Sequence, residues 1–436
     1  GVELIPEKQD DWYVFTQKGE ELNIIFKNGR GWIGYPYQTE DITLTESACL
    51  QIYTDNNEYL KATYTFIDCN SVNPNRQILY TTNDSSTIVR SVSYATFGAN
   101  IISNTYENGQ GVITFDGPVT TIGESAFSGC SNLTNIIIPN SVTSIGYAAF
   151  ADCFSLTSIT IPNSVTNIGP YAFSTCTSLT SLTIPSSVTY IGICAFDHCT
   201  DLISVTIPNS VTGIGHAAFS GCSSLCSIII PNSVTSIASS AFSGCSSLTS
   251  MVVDSGNTIY DSRENCNAII ETVTNTLIAG CQNTIIPNSV TSIGKEAFEA
   301  CSSLVSITIP NSVTSIEDYA FRFCSSLTSL TIPNSVTSIG KEAFFRCGSL
   351  DTIYIKVTNP PTLGTDVFYA ISPTCIVPCG TLAAYQASDW ANQVGDLVEE
   401  CEDLIPTNQI QYTTWGDEIV RIDTTYHIDY NYGVVN

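Results

Sequence analysis

Residues Ile161 to Thr183 read I-P-N-S-V-T-N-I-G-P-Y-A-F-S-T-C-T-S-L-T-S-L-T, and this stretch recurs, barely changed, along more than half of the chain. Its Ala-Phe pair returns at Phe127, Phe150, Phe173, Phe196, Phe219 and Phe242. After an interruption it returns again at Phe298, Phe321, Phe344 and Phe368. The step is 23 residues within each block and 24 at the last. A fixed period of this length means a solenoid, in which each repeat is one coil stacked on the next.

The chemistry of one coil follows from strand alternation. In Leu156-x-x-Ile159-x-Ile161 the two isoleucines point inward, and Ser158 and Thr160 point outward. Pro162 has no N–H to donate and stops the ladder, and Asn163-Ser164 turns the chain. Val165-x-x-Ile168-Gly169 makes a second short apolar run, and Ala172 and Phe173 tuck into the core. Truncating such a Phe to Ala costs ~3–5 kcal/mol.

Eighteen cysteines are present. A ladder of them follows the Ala-Phe pairs: Cys130, Cys153, Cys176, Cys199, Cys222, Cys245, Cys301, Cys324, Cys347 and, shifted by context, Cys375. Stacked strands lie about 4.8 Å apart, within disulfide range, but equivalent side chains run parallel and do not aim at one another. Free, buried thiols are therefore expected in the ladder. Cys49, Cys69, Cys194, Cys226, Cys266, Cys281, Cys379 and Cys401 lie off it and are the better bridge candidates, although the sequence does not pair them.

The series I-P-x-S-V-x-x-I-G-x-x-A-F-x-x-C-x-x-L resembles the BspA-like leucine-rich repeats of surface proteins from anaerobic bacteria. Segments 97–104 and 359–364 also look like parts of that family. The expected fold is a leucine-rich-repeat solenoid, β-rich with parallel strands and 23-residue coils, preceded by a small N-terminal β domain. The resemblance implies an exported or surface-anchored protein with adhesive or protein-binding roles. The opening Gly1-Val2-Glu3 has no Met and no signal-peptide core, which suits a trimmed chain whose export signal is left out.

Around the array the organisation reads as follows. Residues 1–75 form a β-rich domain, in which Trp12, Trp32, Tyr35 and Tyr37 line either a core or a ligand platform. Residues 76–118 lead into the array at 119–368. An insert at 253–286 reads as a protruding hairpin with strands at 268–270 and 276–278. Residues 369–405 cap the open end, with a helix expected from Leu382 to Val398 behind Thr381. The tail 406–436 echoes the lead-in: Gln409 to Thr414 matches Gln77 to Thr82, as if a second module began there.

The formal charge of −26 and the absence of Lys or Arg between Arg90 and Arg263 argue against nucleic acid as a partner, since phosphates need basic side chains. No apolar run reaches the ~18 residues of a membrane span. Chemistry is equally sparse. His198, His216 and His427 sit in no H-E-x-x-H, no C-x-x-C occurs, and no phosphate loop or nucleophile elbow is present. The adjacent His198 and Cys199 point in different directions on a coil and make a poor catalytic dyad. No enzyme activity, cofactor or metal is expected, and a monomer is.

The surface left for recognition is the outward side of the long strand. It carries Ser158, Thr160, Ser181, Thr183, Ser204, Thr206, Thr308 and Thr331, with apolar interruptions at Ile137, Ile229, Val252 and Tyr354. It suits an extracellular protein or glycan, unless these Thr residues merely favour strands. The alternatives are a glycan-capturing module and a structural spacer. A second, variable face holds Tyr147, Tyr171, Ile193, His216, Lys295, Tyr319 and Lys341.

Overall fold

The computed structural model describes residues 74–87 and 97–401, and the backbone of short strands at 8–9, 12–13, 48–53, 63–68, 412–415 and 418–422. The proposed aromatic platform at Trp12, Trp32, Tyr35 and Tyr37 lies outside the residues described in side-chain detail, as do Cys49, Cys69 and the tail residues 409–411.

The array is a parallel β-solenoid. On the long-strand side neighbouring coils pair two by two at a spacing of 23 residues, as in Ser158↔Asn135, Leu182↔Val205, Ile229↔Val252 and Thr331↔Tyr354. The short apolar run makes the second side, where Ser144–Ile145 pairs with Asn167–Ile168 and so onward. Strand alternation holds: in Ser158–Thr160 and Ser181–Thr183 only the middle residue is buried. The phenylalanines form two stacks. Rings from Phe127 to Phe242 lie 5.1–5.9 Å apart and within 14° of parallel, and those from Phe298 to Phe368 lie 5.0–5.6 Å apart.

A coil this tight demands unusual backbone. Two positions per coil take left-handed φ, for example Tyr171 at 58° and Thr175 at 61°. Close stacking also fixes glycine after the short strand. A Cβ on Gly192 would sit 2.7 Å from backbone atoms of Gly169 one coil earlier.

The ladder cysteines remain thiols and pack in the core, as their parallel stacking requires. Each of Cys153, Cys176, Cys199, Cys222 and Cys245 donates its S–H to a Phe carbonyl of the preceding coil at 3.2 Å. Of the off-ladder cysteines, Cys379 and Cys401 form a disulfide. Cys194, Cys226, Cys266 and Cys281 are thiols, and of these only Cys226 is exposed.

The insert does not protrude, contrary to the sequence reading. Ala268–Glu271 and Thr276–Gly280 are antiparallel strands built into the sheet, and Thr276 pairs in parallel with Ser292 of the next coil. Ala268, Ile269, Ile270 and Leu277 are fully buried. Ile269 and Ala279 join the apolar cluster of the first block, whereas Ala268, Ile270 and Leu277 join that of the second. The physical reason is visible in the run itself: consecutive apolar residues mark a strand buried on both faces. Gly280 stands where the Phe column would continue, and a Cβ there would meet the Phe298 ring at 2.1 Å.

Both ends are closed. At the start, Gln77–Thr82 runs antiparallel to the first coil, with Tyr80 opposite Ile136, and buries Ile78 and Tyr80. Phe97 covers the end of the Phe stack, 5.8 Å from Phe127. At the far end, Trp390 lies 5.7 Å from Phe368 and donates its indole N–H to Pro361. The expected long helix is a single turn, Leu382–Gln386. Thr381 does not cap it but donates its hydroxyl to Pro378. The rest of that segment becomes a 3₁₀ turn and then the strand Asp396–Glu400, because an open solenoid end is better satisfied by another paired strand. The disulfide pins this last strand.

Candidate binding surface

The long strands carry Ser158, Thr160, Ser181, Thr183, Ser204, Thr206 and Thr331 outward, and all are exposed. Thr308 is exposed as well, but residues 301–310 form no strand there, so it continues the row without joining the ladder. Ile229 is 63% exposed, Val252 43% and Tyr354 37%. Among the described residues, none hydrogen-bonds to the hydroxyls of Thr160, Thr183 or Thr206. A different threonine column does structural work: the hydroxyls of Thr166, Thr212, Thr314 and Thr337 each donate to a carbonyl one coil back at 3.1–3.3 Å. The two columns thus separate into one spent on the fold and one left for solvent.

Sequence reasoning missed a second cluster, on the variable face of the second block. The Arg322 guanidinium centre lies 5.3 Å from the Tyr319 ring, 4.7 Å from Phe323 and 5.1 Å from Phe345. It also approaches Glu299 and Glu342, both at 3.4 Å. Arg346 lies over Phe345, which in turn stacks on Tyr369 at 5.3 Å. The signal was the residue pair after each Ala-Phe, which is Arg-Phe and Phe-Arg here but Ser-Gly, Ala-Asp, Ser-Thr or Asp-His in the first block. Tyr147 and Tyr171 of the first block meet edge to face at 5.5 Å.

The possible chemical centres are each committed elsewhere. Cys199 is fully buried, its thiol is pushed up to about 12 by desolvation, and it donates to Phe173; His198 pairs instead with Asp197 at 2.9 Å. Cys379 and Cys401 lie near Glu399, but the sulfurs are spent on each other, and Glu399 accepts the N–H groups of Thr381 and Leu382. A shallow depression of about 270 Å³ is lined by Lys295, Glu317, Asp318 and the short strands around them. Where the blocks meet, Ser240 Oγ lies 2.7 Å from Glu296 and 2.8 Å from Glu299. This contact ties the second block to the first.

Comparison with known families gives one decisive result. The model of the BspA-type leucine-rich repeat region matches residues 99–225, 175–277 and 276–384. The chain belongs to the BspA-type leucine-rich repeat family. Three solved structures are similar. One is a leucine-rich cell surface protein from Faecalibacterium prausnitzii, 26% identical, matched over 74% of this chain and 95% of its own, with a TM-score of 0.49. Another is a leucine-rich repeat protein from Eubacterium ventriosum, 25% identical over 65% and 71%, with a TM-score of 0.43. The third is the pneumococcal vaccine antigen PcpA, 17% identical over 73% and 99%, with a TM-score of 0.42. No curated protein matches the sequence. No helix among the described residues is long and apolar enough to cross a membrane. Proteins of this family are repeat proteins, generally without enzymatic activity, and a role in protein–protein interaction or at a surface fits that membership.

Proposed function

We propose that this chain is a non-enzymatic, exported surface protein that binds extracellular macromolecules through the outward side of its long strands. One observation carries the reading: the hydroxyl ladder of Thr160, Thr183 and Thr206 is exposed, regularly spaced and unused by the fold. A shallow, uncharged, rigid sheet suits a large partner better than a small molecule, which needs a concave site. The Cys379–Cys401 disulfide supports export, because disulfides persist in oxidising compartments.

The test presents the intact protein to immobilised extracellular-matrix proteins, mucins and neighbouring cells. Binding to at least one of these is expected, and Thr160→Lys, Thr183→Lys and Thr206→Lys together should abolish it. No binding to any, or binding undiminished by the lysines, overturns the reading. Capture of polysaccharides alone would favour the glycan-uptake alternative.

A further inference from the structure

We infer that the apolar end of this strand face, where the first block closes, docks an extended peptide segment carrying both apolar and basic side chains. The inference rests on the strand face being the binding side and names the chemistry of its partner. The outward central position is Ile137 in the first coil and Thr160, Thr183 and Thr206 in the next three. It then becomes Ile229 and Val252 in two successive coils, so only at this end of the block do two such apolar residues adjoin. These two lie directly opposite each other in parallel register. The position that precedes the strand changes from Thr157 and Thr180 to Ile203 and Cys226, and returns to Thr249 in the coil of Val252. Ile203 is 54% exposed, and its carbonyl accepts the N–H of Cys226 in the next coil at 3.3 Å.

Nothing in the fold asks for this exchange. The core beneath is already filled by Ile228, Ile230, Met251 and Val253, all buried. Threonine satisfies the strand preference for β-branched residues as well as isoleucine does. Ile229 and Val252 add a pair of adjacent apolar side chains facing water, and Ile203 adds a third on the neighbouring coil beyond Ser204. Clustered exposed apolar side chains on a soluble protein mark an interaction site. After the insert, Ile285 and Val305 are again exposed, at 72% and 57%.

The charge around the patch selects the occupant. Asp201 precedes Ile203, Asp254 follows Val253, and both are exposed. The amide of Asp254 donates to Ile230, which places it beside the Ile229 coil. No Lys or Arg occurs from residue 91 to residue 262. An apolar strip bordered by carboxylates, with no cation in the block, attracts a partner that presents Lys or Arg next to its apolar side chains and repels an acidic one. The strip lies on a sheet of extended strands, so alternate residues of an extended segment can reach it.

The test titrates the full-length protein with a peptide of about ten residues, long enough for several alternations, in which Leu and Lys alternate. Leu/Glu and Ser/Lys peptides are the controls. The Leu/Lys peptide should bind at physiological salt and the controls should not. The triple variant Ile203→Thr, Ile229→Thr, Val252→Thr installs residues that neighbouring coils already carry and leaves the net charge unchanged. It should weaken binding by roughly tenfold or more, as truncation of interface anchors does. Asp201→Asn with Asp254→Asn should weaken it less and flatten its salt dependence. Equal binding of the Ser/Lys peptide, or undiminished binding by the triple variant, would reduce the effect to bulk charge and overturn the proposal. Failure of all the peptides would also overturn it. Loss of matrix or mucin binding on the lysine substitutions above would stand independently of either result.

Discussion

The two blocks of the array, 119–252 and 286–368, fold alike and look different from outside. Both stack phenylalanines about one coil apart, both bury a cysteine ladder, and both turn through left-handed residues at matching positions. The first block has no Lys or Arg, whereas the second carries Lys295, Arg322, Lys341, Arg346 and Lys356, four of them in ion pairs. At one left-handed position the first block mixes Gly129, Gly221 and Gly244 with Asp152, Thr175 and His198, where the second uses Ala300, Phe323 and Arg346 and no glycine. A solenoid tolerates this divergence because stability depends on each coil's interior and on its contact with the next. Outward side chains are free to drift or to be selected.

The largest expected effect tests what the blocks share. Burial pushes Cys199 and Cys245 of the first block, and Cys301 and Cys347 of the second, up to about 12. In the unfolded chain these thiols ionise near pH ~8.5. Above that pH the unfolded state gives up protons that the folded state keeps. The thiol contribution is therefore complete below pH ~8.5 and falls as pH rises toward 12, by about 1.4 kcal/mol per thiol per pH unit. Urea midpoints measured from pH 8 to pH 11 should decline steeply through the alkaline range. A flat profile would contradict a buried ladder.

Single truncations compare the blocks directly. Phe173→Ala and Phe321→Ala should each cost ~3–5 kcal/mol in urea unfolding. Both rings are fully buried between parallel neighbours, so unequal losses would show that the two stacks are not equivalent. Arg322→Ala should cost about 1 kcal/mol, since the side chain is partly exposed, and the loss should shrink at high salt. First-block variants should show no comparable salt dependence, because no Lys or Arg lies there.

The smallest effect concerns the backbone. Ala300 has φ 54°, which a glycine adopts without strain. Ala300→Gly should stabilise by about 0.5 kcal/mol, less than the ~1–2 kcal/mol cost of a left-handed residue because glycine also loosens the unfolded chain. The reverse change, Gly221→Ala, should destabilise, and its Cβ would also meet the His198 ring at 3.0 Å. Thermal midpoints of the pair would show whether the glycines of the first block matter.

Much of this architecture could be read from residues alone, and the exceptions have physical causes. Ile159 and Ile161 point inward and Thr160 outward because a period of two is local geometry. The fate of 268–270 was not local. Three consecutive apolar residues were read as a strand of a protruding hairpin, and only the assembled sheet showed both faces covered, each by a different block. The cap was misread for the same reason: helix-favouring Leu382, Ala383 and Ala384 gave way beyond Gln386 to a strand that an open sheet end could pair.

The repeat by itself determined the solenoid, its interior and the free state of the ladder thiols in the array, because each follows from short-range alternation multiplied by a fixed period. Tertiary structure alone decided which cysteines meet at Cys379 and Cys401, which threonine column bonds to the coil behind, and how Arg322 gathers its three rings. Those outcomes depend on distances between residues far apart in the chain, which spacing along the chain does not encode.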